Sequence, residues 1–119
     1  MSEDIISTRD KIESKITELE TERGKINDFA IEKADAISQY DKNYTVTVLK
    51  LKERIIVEFE GVPINNLPAT LILAVAKGIC FNECYRKEAA DGLYKGLISN
   101  IEGIKSELNG YQSINRHLE

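Results

Sequence analysis

The chain has 119 residues, enough for one domain with a modest core; 42% are hydrophobic and 30% charged, an ordinary globular composition without a disordered bias. Lys and Arg number 16 against 20 Asp and Glu, and residues 1–43 carry the whole excess with 7 basic and 11 acidic groups. No basic face stands out, which argues against tight, phosphate-driven binding to nucleic acid.

The start, "MSEDIISTRDK", is acidic and lacks a hydrophobic stretch, so it does not read as a signal peptide. Residues 3–40 read as one long helix. Ile5, Ile12, Leu19 and Ile26 recur every seven residues, with Ile16, Ala30 and Ile37 on a neighbouring line that Arg9 and Arg23 interrupt. Ser2, Glu3 and Asp4 suit a helix N-terminus, where acidic groups complement the dipole. Gly24 is its weak point, costing about 1 kcal/mol relative to Ala inside a helix.

"DKNYTVTVLKLKERIIVEFEG" then changes character, because β-branched and aromatic residues take over. Tyr44, Val46 and Val48 alternate with Thr45, Thr47 and Leu49, and Ile55, Val57 and Phe59 alternate with Ile56, Glu58 and Glu60. With "LKER" between the runs, 44–60 reads as a β-hairpin, although no Asn-Gly marks its turn. "GVPINNLP" follows as a loop, with Pro68 suited to the first position of a helix. Residues 68–88 read as that helix, apolar nearly all round as far as Phe81 and therefore expected to be buried on several sides. Its longest apolar run, "ATLILAVA", is far short of the roughly 20 residues a membrane span needs.

Residues 89–118 carry the strongest pattern. Tyr94, Leu97, Ile101, Ile104, Leu108, Tyr111, Asn115 and Leu118 follow alternating three- and four-residue steps, a coiled-coil seam in which Asn115 would fix register and oligomer state. On the opposite face Ala89, Gly92, Gly96, Ser99, Gly103, Ser106, Gly110 and Ser113 repeat the alternation, and every one is small. As a merely exposed face it would hold four glycines at about 1 kcal/mol each relative to Ala. As a close-packing face it lets another helix approach, which implies a homo-oligomer with Gly96, Ser99, Gly103, Ser106, Gly110 and Asn115 in its interface.

Chemistry is sparse. Cys80 and Cys84 lie one helical turn apart, but zinc would need two further ligands and His117 is the only histidine, so no metal is expected and small apolar packing suits both thiols. Without a secretory signal they read as reduced thiols in a cytoplasm. Cys84 with His117 and Asp91 could be imagined as a catalytic set, yet no local motif supports it; no catalytic residue and no cofactor is assigned. "CFNECYRK" does group Phe81, Asn82, Tyr85 and Arg86. With Arg54 or Arg116 these could line a pocket for an anionic ligand, the guanidinium giving paired hydrogen bonds and the rings a stacking surface. The alternative is a helix edge with solvated charges and two core-facing rings.

The closing stretch, "YKGLISNIEGIKSELNGYQSINRHLE", resembles the C-terminal helix of small, largely uncharacterised phage proteins encoded among recombination and replication genes. Tyr94, Leu97, Ile101, Ile104, Leu108 and the Gln112-Ser113…Arg116 close match that pattern over about a quarter of the chain. Family members are richer in Ala, Glu and Lys here and are not associated with a β-hairpin. The helix–hairpin–helix order is also similar to prefoldin-type subunits, whose plan has no place for a helix at 68–84.

The expected fold is therefore α+β over 1–119 as a single domain: N-terminal helix, β-hairpin, buried central helix and long C-terminal coiled-coil-like helix. The resemblance implies a phage or prophage origin and a host-cell cytoplasmic setting. The expected function is non-enzymatic binding by a homo-oligomer, as an accessory of phage recombination or replication that contacts another protein and, weakly, single-stranded DNA. The rival is a counter-defence protein, either an inhibitor of a host immune nuclease or a sponge that sequesters a nucleotide signal between subunits.

Overall fold

The computed structural model describes residues 3–118 and is mostly helical, so Ser2, the expected start of the helix cap, lies outside the described residues. In chain order the elements are α1 (Glu3–Arg23), α2 (Ile26–Lys52), β1 (Glu58–Phe59), β2 (Val62–Pro63), α3 (Ala69–Ile79) and α4 (Phe81–Leu118). The chain divides into two compact units. Unit 1 comprises the residues up to Ala30 together with those from Gly92 onward, and unit 2 is Ile31–Asp91.

In unit 1, α1 packs antiparallel to α4. Lys11 lies over the Tyr111 ring at 5.7 Å, Lys15 meets Glu107 at 2.8 Å, and Leu19 joins Leu97, Ile101 and Ile104, so rising numbers on α1 meet falling numbers on α4. The expected seam of α4 is the buried one as far as Asn115: Leu97, Ile101 and Ile104 are buried, and Tyr94, Leu108, Tyr111 and Asn115 half-buried, whereas Leu118, its last member, is exposed in the final turn. Its cover comes from the chain's own α1. On α1 the heptad Ile5, Ile12, Leu19 also faces inward, but its second line is Thr8, Lys15 and Glu22, not the line of Ile16, which is exposed. Thr8 is buried at little cost because its hydroxyl donates to the Asp4 carbonyl at 2.8 Å.

The single helix expected over 3–40 is interrupted after Arg23. Gly24 N–H still bonds the Glu20 carbonyl at 3.0 Å, but Lys25 N–H reaches Glu22 at 3.1 Å, a tightened turn before α2 starts at Ile26. The glycine sits where the helical ladder fails, as its low helix propensity allows.

In unit 2 the hairpin expected over 44–60 is absent as such, because α2 runs on to Lys52. Ala36, Tyr40, Thr47 and Leu51 are buried at helical spacing, and Tyr44 and Val48 pack against the core. This one-sided packing outweighs the β-propensity of "TVTV", since propensity is a weak prior and tertiary contacts decide. α2 closes with Arg54 at φ 59°, its N–H on Leu51 and that of Ile55 on Lys50 at 2.9 Å, the paired bonds of a Schellman cap.

The strands are short and lie later than expected: Glu58 pairs with Pro63 and Phe59 with Val62. Their turn is Glu60-Gly61, both with positive φ (52° and 79°), as a two-residue type I′ turn requires. Pro68 is the N-cap of α3, with φ −61° and ψ 148°, one position before the helix proper.

Leu51, Ile64 and Ala76 form the centre of unit 2, with Phe59, Ile72 and Val75 among the side chains packed on it. Gly78 lets the Phe59 ring lie on α3, because a Cβ there would stand 3.4 Å from its Cε1. The all-round burial expected of residues 68–88 does not hold. The segment divides at Cys80, and of α3 only Ala76 is fully buried while Leu71 and Leu73 stand about half exposed (48% and 55%). One face of α3 suffices to cover this small core, so the opposite apolar face is left over.

Candidate functional site

The first turns of α4 present two chemically different sides within unit 2. Cys80 separates the two helices: at φ −91° and ψ 24° it caps α3, its N–H bonds the Ala76 carbonyl, and its own carbonyl accepts from Cys84 N–H, both at 3.0 Å. Residues of both helices nevertheless line one groove on the outer side.

The side toward α2 is a packed polar and aromatic interface. Arg86 donates to Gln39, to Glu32 at 2.9 Å and to Asp35 at 3.0 Å. Glu32 first, then Asp35, raises its pKa above the ordinary arginine value by hydrogen bonding to the charged form. Lys87 stands 4.3 Å over the Tyr40 ring, which stacks on Tyr44 with centroids 5.7 Å apart. Asn43 donates to Glu83 at 3.3 Å, Lys33 pairs with Asp91 at 3.0 Å, and the Thr47 hydroxyl contacts the Cys80 thiol at 3.4 Å. Burial pushes the Tyr40 phenol up, with Cys84 and Tyr44 adding to the shift.

The outer side is an open, mainly apolar groove of about 480 Å³, lined by Ala74, Lys77, Gly78, Phe81, Cys84, Tyr85 and Glu88. Phe81 and Tyr85 are 61% and 76% exposed, a large apolar surface for two aromatic rings one helical turn apart.

Of the five residues expected to share a ligand pocket, the fold joins only Phe81 and Tyr85. Arg86 is turned away and engaged by two carboxylates, so it is not presented to an anionic ligand at the rings. Asn82 is exposed and is not part of the groove lining. Arg116 is exposed thirty residues further along α4, in unit 1. The reading of "CFNECYRK" as one group failed because neighbours in sequence point around a helix, not together. Of the other residues that line the groove, Lys77 stands four before Phe81, Gly78 three before it and seven before Tyr85, and Cys84 three after Phe81.

The small-residue line lies in the open. Gly96, Ser99, Gly103, Ser106 and Gly110 are all exposed, and a Cβ added at Gly92, Gly96, Gly103 or Gly110 would meet no atom within 4 Å. Within unit 1, Gly92 and Gly96 help form a shallow groove of about 290 Å³ with Phe29 and Leu97.

Both thiols are free, Cys80 buried and Cys84 half-buried at the outer groove. Among the described residues no group of three or more His, Cys, Asp or Glu side chains could hold a metal ion, and no helix is long and apolar enough to cross a membrane. Comparison with protein-family models, curated proteins and solved structures finds no match.

Proposed function

We propose that this chain is a non-enzymatic binding protein that works as a homo-oligomer, with its partners meeting the helix faces that its own fold leaves uncovered. The observation that carries this reading is the exposure of Phe81 and Tyr85 on one mainly apolar groove of unit 2, lined also by Ala74, Gly78 and Cys84. Contiguous apolar surface of that kind is expensive to leave in water, and aromatic anchors of that kind dominate protein interfaces. The open glycine and serine line of α4, with Gly103 at its middle, supports a second place of close helix approach.

Within this reading the resemblance of the C-terminal helix favours an accessory of phage recombination or replication, acting through protein contacts with at most weak contact to single strands. The test is binding of the purified chain to a single-strand-annealing recombinase and to single-stranded DNA. Recombinase binding with DNA affinity that falls steeply with salt supports the accessory role. Binding to neither contradicts it.

The groove itself favours one alternative, the sponge form of a counter-defence protein. Its volume falls in the range of small-molecule sites, and two rings beside Lys77 could stack a nucleobase and meet a phosphate. A nucleotide sponge must rise in melting temperature with nucleotide concentration by mass action. A flat response to cyclic and linear nucleotides rules it out.

A further inference from the structure

We infer that the outer face of α3 and the start of α4 is a two-fold self-association surface whose occupant is the same face of a second copy. This rests on the homo-oligomer reading above and adds the surface, the symmetry and the register. A two-fold interface must be self-complementary, because the same patch serves both sides. This face meets that demand in charge and in shape.

The charges sit at its two ends. Lys77 lies on the α3 side and Glu88 on the α4 side, with Phe81, Cys84 and Tyr85 between them. Both are exposed, and the Glu88 side chain keeps 67% of its surface free although Lys87 lies 3.6 Å away. Antiparallel pairing of two copies about an axis between Phe81 and Cys84 brings each Lys77 to the partner's Glu88. Parallel pairing would instead set like charges side by side. The face therefore selects the two-fold arrangement electrostatically.

Shape follows the same register. Phe81 and Tyr85 stand out from the helix, while Ala74 and the Cys84 thiol, both lining the groove, stay low beside them. In the antiparallel register each Phe81 lands on the partner's Cys84 and Tyr85, and each Tyr85 approaches the partner's Phe81. Rings supply the affinity and the end charges supply orientation, the usual division between an interface core and its rim. A peptide or a nucleotide could use the rings, but neither accounts for opposite charges placed symmetrically about them.

Sedimentation equilibrium of the full chain tests this through a charge swap. Lys77→Glu and Glu88→Lys should each weaken self-association by about tenfold, and the double variant should restore it to about the wild-type constant. Phe81→Ser should weaken it further, with circular dichroism confirming an unchanged helical fold in every variant. Unaltered association in both single variants, or a double variant no better than either, overturns the inference. If the wild type is an oligomer that only Gly103→Leu disrupts, this face is not its interface although the oligomer reading stands. A wild type that stays monomeric overturns both.

Discussion

Units 1 and 2 are nearly equal in length and spend their apolar residues in opposite ways. Unit 1 closes one narrow seam: Leu19, Leu97, Ile101 and Ile104 bury one another, and polar Thr8, Lys15 and Glu22 border it. Unit 2 builds a broader core around Leu51, Ile64 and Ala76, yet holds ten of the fifteen large apolar side chains left exposed among the described residues, Leu73, Phe81 and Tyr85 with them. The lesson is that apolar content and burial separate where a short helix covers a small core with one face. What remains on the other face is exposed apolar surface, which the proposed self-association would cover.

The contrast can be broken most forcefully at the seam of unit 1. Ile104 is the largest fully buried side chain, and Ile104→Ala should cost about 2–5 kcal/mol of unfolding free energy in urea. Phe81→Ala on the exposed face should shift the stability of the monomer by only about 0.5 kcal/mol while weakening association. Comparable losses would erase the distinction between the two units.

Gly78 sharpens the picture of the unit 2 core. Gly78→Ala should be tolerated, because its Cβ meets the Phe59 ring at 3.4 Å, at ordinary contact distance. Gly78→Leu must displace that ring and should cost about 1–3 kcal/mol, visible as a lower midpoint in the same urea titration.

A smaller effect of opposite sign is expected on the open line of unit 1. Gly103→Ala meets nothing in the monomer and should stabilise α4 by up to about 1 kcal/mol, read by thermal melting of dilute protein. If association weakens at the same time, the glycine is kept for close approach of another helix.

The last test is a pH dependence in unit 2. The Tyr40 phenol is raised above its usual value of 10.0 by burial, so the folded state holds a proton that the unfolded chain releases. Its contribution is fully present below pH 10 and is lost as pH rises through the folded-state value. Thermal melts should therefore fall across that alkaline range, and Tyr40→Phe should fall less steeply.

How much of this was legible depended on whether periodicity and residue type agreed. On α4 they agreed, and the seam from Tyr94 to Asn115 could be read residue by residue. At Tyr44–Leu51 they conflicted: Thr45, Val46 and Thr47 favour a strand individually, while Tyr40, Tyr44, Thr47 and Leu51 keep the helical period that the core rewards. The turn at Glu60-Gly61 was missed because it lacks the Asn that usually marks two successive left-handed residues. For the site, the two rings were legible as an adjacent pair, but the direction of Arg86 was not. That direction depends on Glu32 and Asp35, more than fifty residues earlier, which one-dimensional spacing does not bring together.

The central claim is that the uncovered faces meet other copies of the chain, and solution mass across a concentration series tests it most directly. Self-association through these faces gives a mass that rises with concentration from the 13.4 kDa of one chain to a multiple of it. A mass that stays at one chain from micromolar to millimolar concentration would contradict it.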